Sequence, residues 1–129
     1  MTETYEKTLA DVEDSIGIVP KCLERLPENV LVRYWPFLKR YQLGESCIPE
    51  KFRELISLAL VANMKCHSCL MTFIAMAKSA GATDDEISEA MFLANHVARW
   101  SDLHHPSLHD PIVTWQETKQ YWTTYEEDE

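Results

Sequence analysis

In the stretch Cys66-His67-Ser68-Cys69 two thiols stand three residues apart, and such a pair can do three things. It can trade electrons by opening and closing a small disulfide ring. It can give two sulfurs to a metal. It can also fill a helix interface as two small hydrophobes. On a helix, residues three and four apart share a face, so Cys66, Cys69, Leu70, Phe73 and Ala77 make one stripe with both sulfurs on one side. The unpaired N–H groups of a helix start favour a thiolate, and with the helix beginning at Cys66 this thiol is the more acidic. A structural zinc would want a second such pair, whereas Cys22 and Cys47 stand alone.

Glu54 is the next candidate. It shares a helix face with Leu58, Val61 and Ala62, and a carboxyl on an apolar stripe loses hydration, which favours its neutral form and suits proton transfer. The same residue can equally be a first-turn glutamate facing the helix dipole, or a partner of Arg53 or Lys51. His67 points about 100° away from Cys66 around the helix, a rim position. His96, on a later helix, can face back toward the cysteines. His104, His105 and His109 with Asp102 and Asp110 have the residue types of a metal-binding cluster, although histidines beside a proline in a loop usually serve only as polar surface.

These residues need helices to hold them. Tyr5, Leu9, Val12 and Ile16 recur at helical spacing before Gly17, which predicts a helix over 3–16. Pro20 opens a short helix with Cys22, Leu23 and Leu26, closed before Pro27. Residues 28–42 carry another helical stripe, with a kink or break expected near Arg33 because Pro36 interrupts it. The segment 50–63 is apolar nearly all round from Leu55 to Ala62, the pattern of a buried helix. Met64 and Lys65 permit a turn, 66–80 is helical, and Gly81 ends it. Thr83-Asp84-Asp85-Glu86 is a capping box. It opens a helix to about Trp100, with Ile87, Ala90, Met91, Ala94, Val97 and Ala98 inward. After a loop at 101–111 a last helix carries Ile112, Trp115 and Trp122. No stretch alternates at period two, so the expected fold class is all-α.

The totals agree. The chain has 129 residues, 46% hydrophobic and 26% charged, with only three glycines, which suits one helical domain over 1–125 and an acidic, disordered tail at 126–129. A net charge of −9 argues against nucleic acid and anionic membrane as partners. Met1 to Lys7 does not read as a signal peptide, and no apolar run approaches the length of a membrane span. The expected location is the cytoplasm, where structural disulfides are rare and a CxxC pair means redox work or metal.

Three segments occur in a telling order: Ile48-Pro49-Glu50-Lys51-Phe52-Arg53-Glu54-Leu55-Ile56, the CxxC pair twelve residues after Glu54, and Gly81-Ala82-Thr83-Asp84-Asp85-Glu86-Ile87. Together they resemble the carboxymuconolactone decarboxylase / alkylhydroperoxidase D-like family, with the core of the match at 48–100. The stretch from Ile18-Val19-Pro20 to Gly44-Glu45 is similar to longer members. The resemblance implies an all-helical fold assembled as trimers or hexamers. It implies thiol peroxidase or disulfide reductase activity without a cofactor, served by a thiol reductant or redox partner protein. In it, Cys69 attacks peroxide, Cys66 resolves the sulfenic acid as a disulfide, and Glu54 feeds a proton relay. The redox members carry a histidine four residues after the second cysteine; this chain carries Phe73, which cannot pass a proton. Either His67 or His96 then substitutes, or the protein is a slow peroxidase, or the dithiol is kept for reduction, sensing or another task. Two other functions stay open: a lyase like the decarboxylase branch, or a non-enzymatic oligomer that senses redox state or binds metal.

Overall fold

The computed structural model describes residues 3–127 except 106, 108 and 109. Among the described residues there are seven α-helices, one π-helical turn and no strand. The chain falls into two compact units, Met1–Arg53 and Glu54–Glu129.

In the first unit, α1 (Glu3–Ile16), α2 (Lys21–Glu24) and α3 (Glu28–Leu38) bury Tyr5, Val12, Leu23, Leu31 and Trp35 in one cluster. The stripe predicted from spacing is the stripe that packs. Truncating a buried leucine such as Leu31 to alanine would cost about 2–5 kcal/mol. Asp11 links the two longer helices: Trp35 Nε1–H donates to its Oδ2 and Lys39 Nζ to its Oδ1, each at 2.6 Å. Those two bonds, Lys39 first and Trp35 second, hold the Asp11 carboxyl below the usual carboxylate range.

The break expected near Arg33 does not occur. Pro36 lies inside a continuous α3. Leu31 and Trp35 are both buried in the cluster, so packing holds the turn that a proline weakens by removing one N–H donor. The irregularity comes later, as a π-helical turn at Lys39–Leu43 that ends at Gly44.

In the second unit, Leu58 of α4 (Glu50–Asn63), Ala77 of α5 (His67–Ser79), Ala82, and Ile87 of α6 (Asp84–Leu103) form the core. Leu55, Leu70, Phe73, Ile74 and Met91 pack against it. Gly81, at φ +88°, ends α5: its N–H reaches Lys78 O at 3.0 Å and that of Ala82 reaches Ala77 O at 2.9 Å. This paired closure needs a left-handed residue, which glycine adopts without a Cβ penalty. The capping box opens α6 as expected, Glu86 N–H to Thr83 Oγ1 at 3.1 Å and Thr83 N–H to Glu86 Oε2 at 2.8 Å. That helix runs on to Leu103, a turn beyond Trp100.

Two expectations about burial are corrected. Within this single chain α4 is not buried all round, since Ile56 and Leu60 are exposed, as is Met64 just beyond it. Val97 of α6 is likewise exposed. Residue spacing identifies apolar faces, but two apolar faces on one helix cannot both be covered by a chain this short. The last helix, α7 (Pro111–Glu127), carries Ile112, Trp115 and Trp122, all exposed. The expected disordered tail at 126–129 meets this helix at its first two positions; residues 128 and 129 lie outside the described residues. Among the described residues, no helix is long and apolar enough to cross a membrane.

Candidate active site

Helix α4 ends by the same paired closure that ends α5, but with lysine in the left-handed place. Lys65 has φ +55°; its N–H reaches Ala62 O at 3.3 Å, and that of Cys66 reaches Val61 O at 3.4 Å. A side chain here costs about 1–2 kcal/mol relative to a right-handed residue. The turn hands the chain straight into α5. Cys66 is the N-cap of that helix rather than its first helical residue, a one-residue correction to the sequence reading. Its carbonyl accepts from Leu70 N–H at 2.8 Å. Its sulfur takes the place that a serine or aspartate oxygen usually takes, accepting the Cys69 N–H at 3.4 Å.

Cys66 and Cys69 are joined as a disulfide, with Cα atoms 5.3 Å apart. Both are half-buried. Ser68 Oγ lies 3.7 Å from Cys66 Sγ. This contact was not singled out in the sequence, although a hydroxyl at the second position after an N-cap was there to be seen. Cys22 and Cys47 are exposed free thiols.

Glu54 is 1% exposed, on the α4 face that also buries Leu58 and Val61. This burial agrees with the spacing of Glu54 on the apolar stripe of its helix. Leu55 and Leu58 of α4 and Leu70 and Phe73 of α5 belong to one cluster, so the helix bearing Glu54 and the helix bearing the cysteines share a core. Phe73 is half-buried in that packing.

The histidines are placed differently. His67 is the exposed first residue of α5. His96 is exposed on α6 and stacks between Phe92 and Trp100, with ring centroids 6.2 and 6.1 Å away. In the 102–110 loop, His104 Nδ1 meets Trp100 O at 3.0 Å, Ser107 N–H donates to His105 Nδ1 at 3.2 Å, and Asp110 Oδ1 accepts from Ile112 N–H at 2.9 Å. His109 lies outside the described residues. Among those described, no group of three or more His, Cys, Asp or Glu is arranged to hold a metal ion.

A disulfide at a helix N-terminus can store and release two electrons, and a buried carboxyl on a neighbouring helix can hold a proton. A family model described as the carboxymuconolactone decarboxylase family matches residues 32–103, more than half of the chain. No curated protein and no solved structure gives a significant match. The matched span runs from α3 to the end of α6 and contains Glu54, Cys66, Cys69 and the capping box; on that ground the chain belongs to the carboxymuconolactone decarboxylase family.

Proposed function

We propose that this protein is a thiol-dependent oxidoreductase that reduces a peroxide or a disulfide with the Cys66–Cys69 dithiol and is recharged by a thiol reductant or redox partner protein. The observation that carries this reading is the bond between Cys66 and Cys69 across the first turn of α5. With a peroxide, one thiolate takes an oxygen to give a sulfenic acid and an alcohol. The second thiol then displaces that oxygen as water, closing the disulfide. With a disulfide, two exchanges reach the same end point. Glu54 is the proposed proton reservoir, its burial setting it apart from the exposed carboxylates of the surface.

The reading includes self-association as a trimer or hexamer. Ile56, Leu60 and Met64 recur at four-residue intervals and are all exposed, as are Phe92, Leu93, Val97 and Trp100 on α6. Apolar stripes of this length on a soluble chain are covered by another copy or by a partner.

The test is to follow consumption of a hydroperoxide and of a small disulfide by reduced protein, before and after alkylation of the thiols. Mass spectrometry then maps the oxidised product. Consumption that alkylation abolishes, with loss of two hydrogens confined to the peptide holding Cys66 and Cys69, is expected. Oxidised protein in which both thiols stay open to alkylation would defeat the reading.

A further inference from the structure

We propose that Cys66, rather than Cys69, is the attacking thiol, and that the bond it attacks is a disulfide; this deepens the dithiol reading above and rests on it. Two contacts converge on Cys66 Sγ: the Cys69 N–H at 3.4 Å and Ser68 Oγ at 3.7 Å. Both sit at the N-cap of a thirteen-residue helix, where unpaired amides concentrate positive potential. Donors that stabilise negative charge on one sulfur raise its thiolate fraction once the disulfide is reduced. Cys69 has no such supply. Its own N–H is committed to Cys66 Sγ, and among the described residues no hydrogen bond is directed at Cys69 Sγ. One turn along the same face stands Phe73, packed against the core of Leu58, Ala77, Ala82 and Ile87.

Phe73 also bears on the substrate. Attack on a peroxide expels an alkoxide or hydroxide, a strong base that needs a proton as it leaves. Attack on a disulfide expels a thiolate, whose conjugate acid ordinarily has a pKa of about 8.5, so it departs without help. A phenyl ring one turn beyond Cys69 supplies no proton, so a peroxide's leaving oxygen would depend on Glu54 alone, whereas a disulfide's leaving thiolate needs neither group.

The steps balance. Cys66 thiolate attacks one sulfur of R–S–S–R, a Cys66–S–R bond forms, and R–S⁻ leaves to take a proton from water. Cys69 gives its proton to solvent and attacks Cys66 Sγ. The Cys66–Cys69 bond forms, and the second R–S⁻ leaves and is protonated. Two electrons pass from the protein dithiol to the substrate disulfide, yielding two R–SH and the disulfide seen in the structure.

The experiment uses the full chain with the exposed Cys22 and Cys47 changed to serine, in two further variants, Cys69→Ser and Cys66→Ser. Each is reduced and mixed with bis(2-hydroxyethyl) disulfide, a neutral probe, at about pH 6, below the ordinary thiol range. Cys69→Ser is expected to form its mixed disulfide several-fold faster than Cys66→Ser, because donors at Cys66 Sγ raise its thiolate fraction by more than the accompanying loss of nucleophilicity. Equal rates, or the reverse order, overturn the assignment. A second measurement needs neither variant: reduced parent protein receives less than one equivalent of iodoacetamide, and peptide fragmentation locates the label. Label on Cys66 is expected; label on Cys69 overturns the assignment. If the parent closes its disulfide against the probe but labels first at Cys69, this assignment alone fails. If the parent leaves the probe unreduced yet closes the Cys66–Cys69 bond with a hydroperoxide, the disulfide assignment fails and the dithiol reading stands; if neither oxidant closes it, both fail.

Discussion

Cys66 closes one helix with its amide and opens the next with its sulfur: its N–H lies 3.4 Å from Val61 O, while its Sγ accepts from the first turn of α5. The backbone contact survives any substitution that keeps an N–H; the sulfur contact does not. In reduced protein, Cys66→Ala should therefore lose the cap and about 0.5–2 kcal/mol, while Cys66→Ser keeps it. Urea denaturation under reductant distinguishes them, and equal midpoints for the two variants would show that the sulfur caps nothing.

Phe73→His should raise peroxide turnover and leave the reaction with disulfides nearly unchanged. Residue 73 lies one turn beyond Cys69, where an imidazole can protonate a leaving oxygen. General acid help of this kind is worth about 10²–10⁴-fold in good geometry, against a stability loss of ~1–3 kcal/mol if the ring lacks a polar partner. Glu54→Gln, made in both backgrounds, should lower the peroxide rate. A folded Phe73→His protein no faster than its parent, with Glu54→Gln silent in each, rules out a relay through this face.

Light scattering at micromolar concentration should give a mass that is a multiple of 15.0 kDa, and Leu60→Glu should shift it toward the monomer. A charge at a covered apolar position costs several kcal/mol, whereas on an exposed helix face it is nearly neutral. A parent protein that already runs as a monomer refutes the proposal.

Much of this arrangement was legible in the residues. The capping box fixed the start of α6 because both partners of the box are local, and the spacing of Glu54 with Leu58 and Val61 identified a carboxyl that the fold does bury. Three features were not legible. Pro36 read as a breaker, but the packing of Leu31 and Trp35 overrides it. Lys65 gave no sign of a left-handed turn, because lysine has no preference for one. Ile56, Leu60 and Val97 read as core because periodicity reports apolar faces, not what covers them.

Acid should weaken the Asp11 link in a defined direction. Its carboxyl is held below the ordinary range, chiefly by Lys39 and then by Trp35. A carboxyl depressed on folding contributes stability that is complete above its unfolded value, about 3.9, and is lost as pH falls through the lower folded value. Asp11→Asn should thus be less stable than the parent at neutral pH, and the gap should shrink below about pH 4. Thermal melts followed by circular dichroism check this; a gap independent of pH would mean the charge contributes nothing.

Gly44→Ala should destabilise the first unit. A Cβ there would stand 2.7 Å from Arg40 O and 3.2 Å from Lys39 O, both backbone atoms of the π-helical turn, so the turn itself must shift. The expected cost is about 1–3 kcal/mol, read as a lowered urea midpoint. An unchanged midpoint would show that the turn relaxes freely.

The burial of Trp35 has an optical consequence. Of four tryptophans in the chain, Trp35 is 3% exposed, while Trp100, Trp115 and Trp122 are 56%, 60% and 57% exposed. Its indole, enclosed by apolar neighbours and bonded to Asp11, emits from a dry environment; in the dissociated chain the other three emit from water. In dissociated protein the blue edge of the intrinsic fluorescence therefore belongs to the Met1–Arg53 unit alone. Its loss would time the opening of that unit without any label, while the thiols of the other unit are oxidised or reduced in the same cuvette.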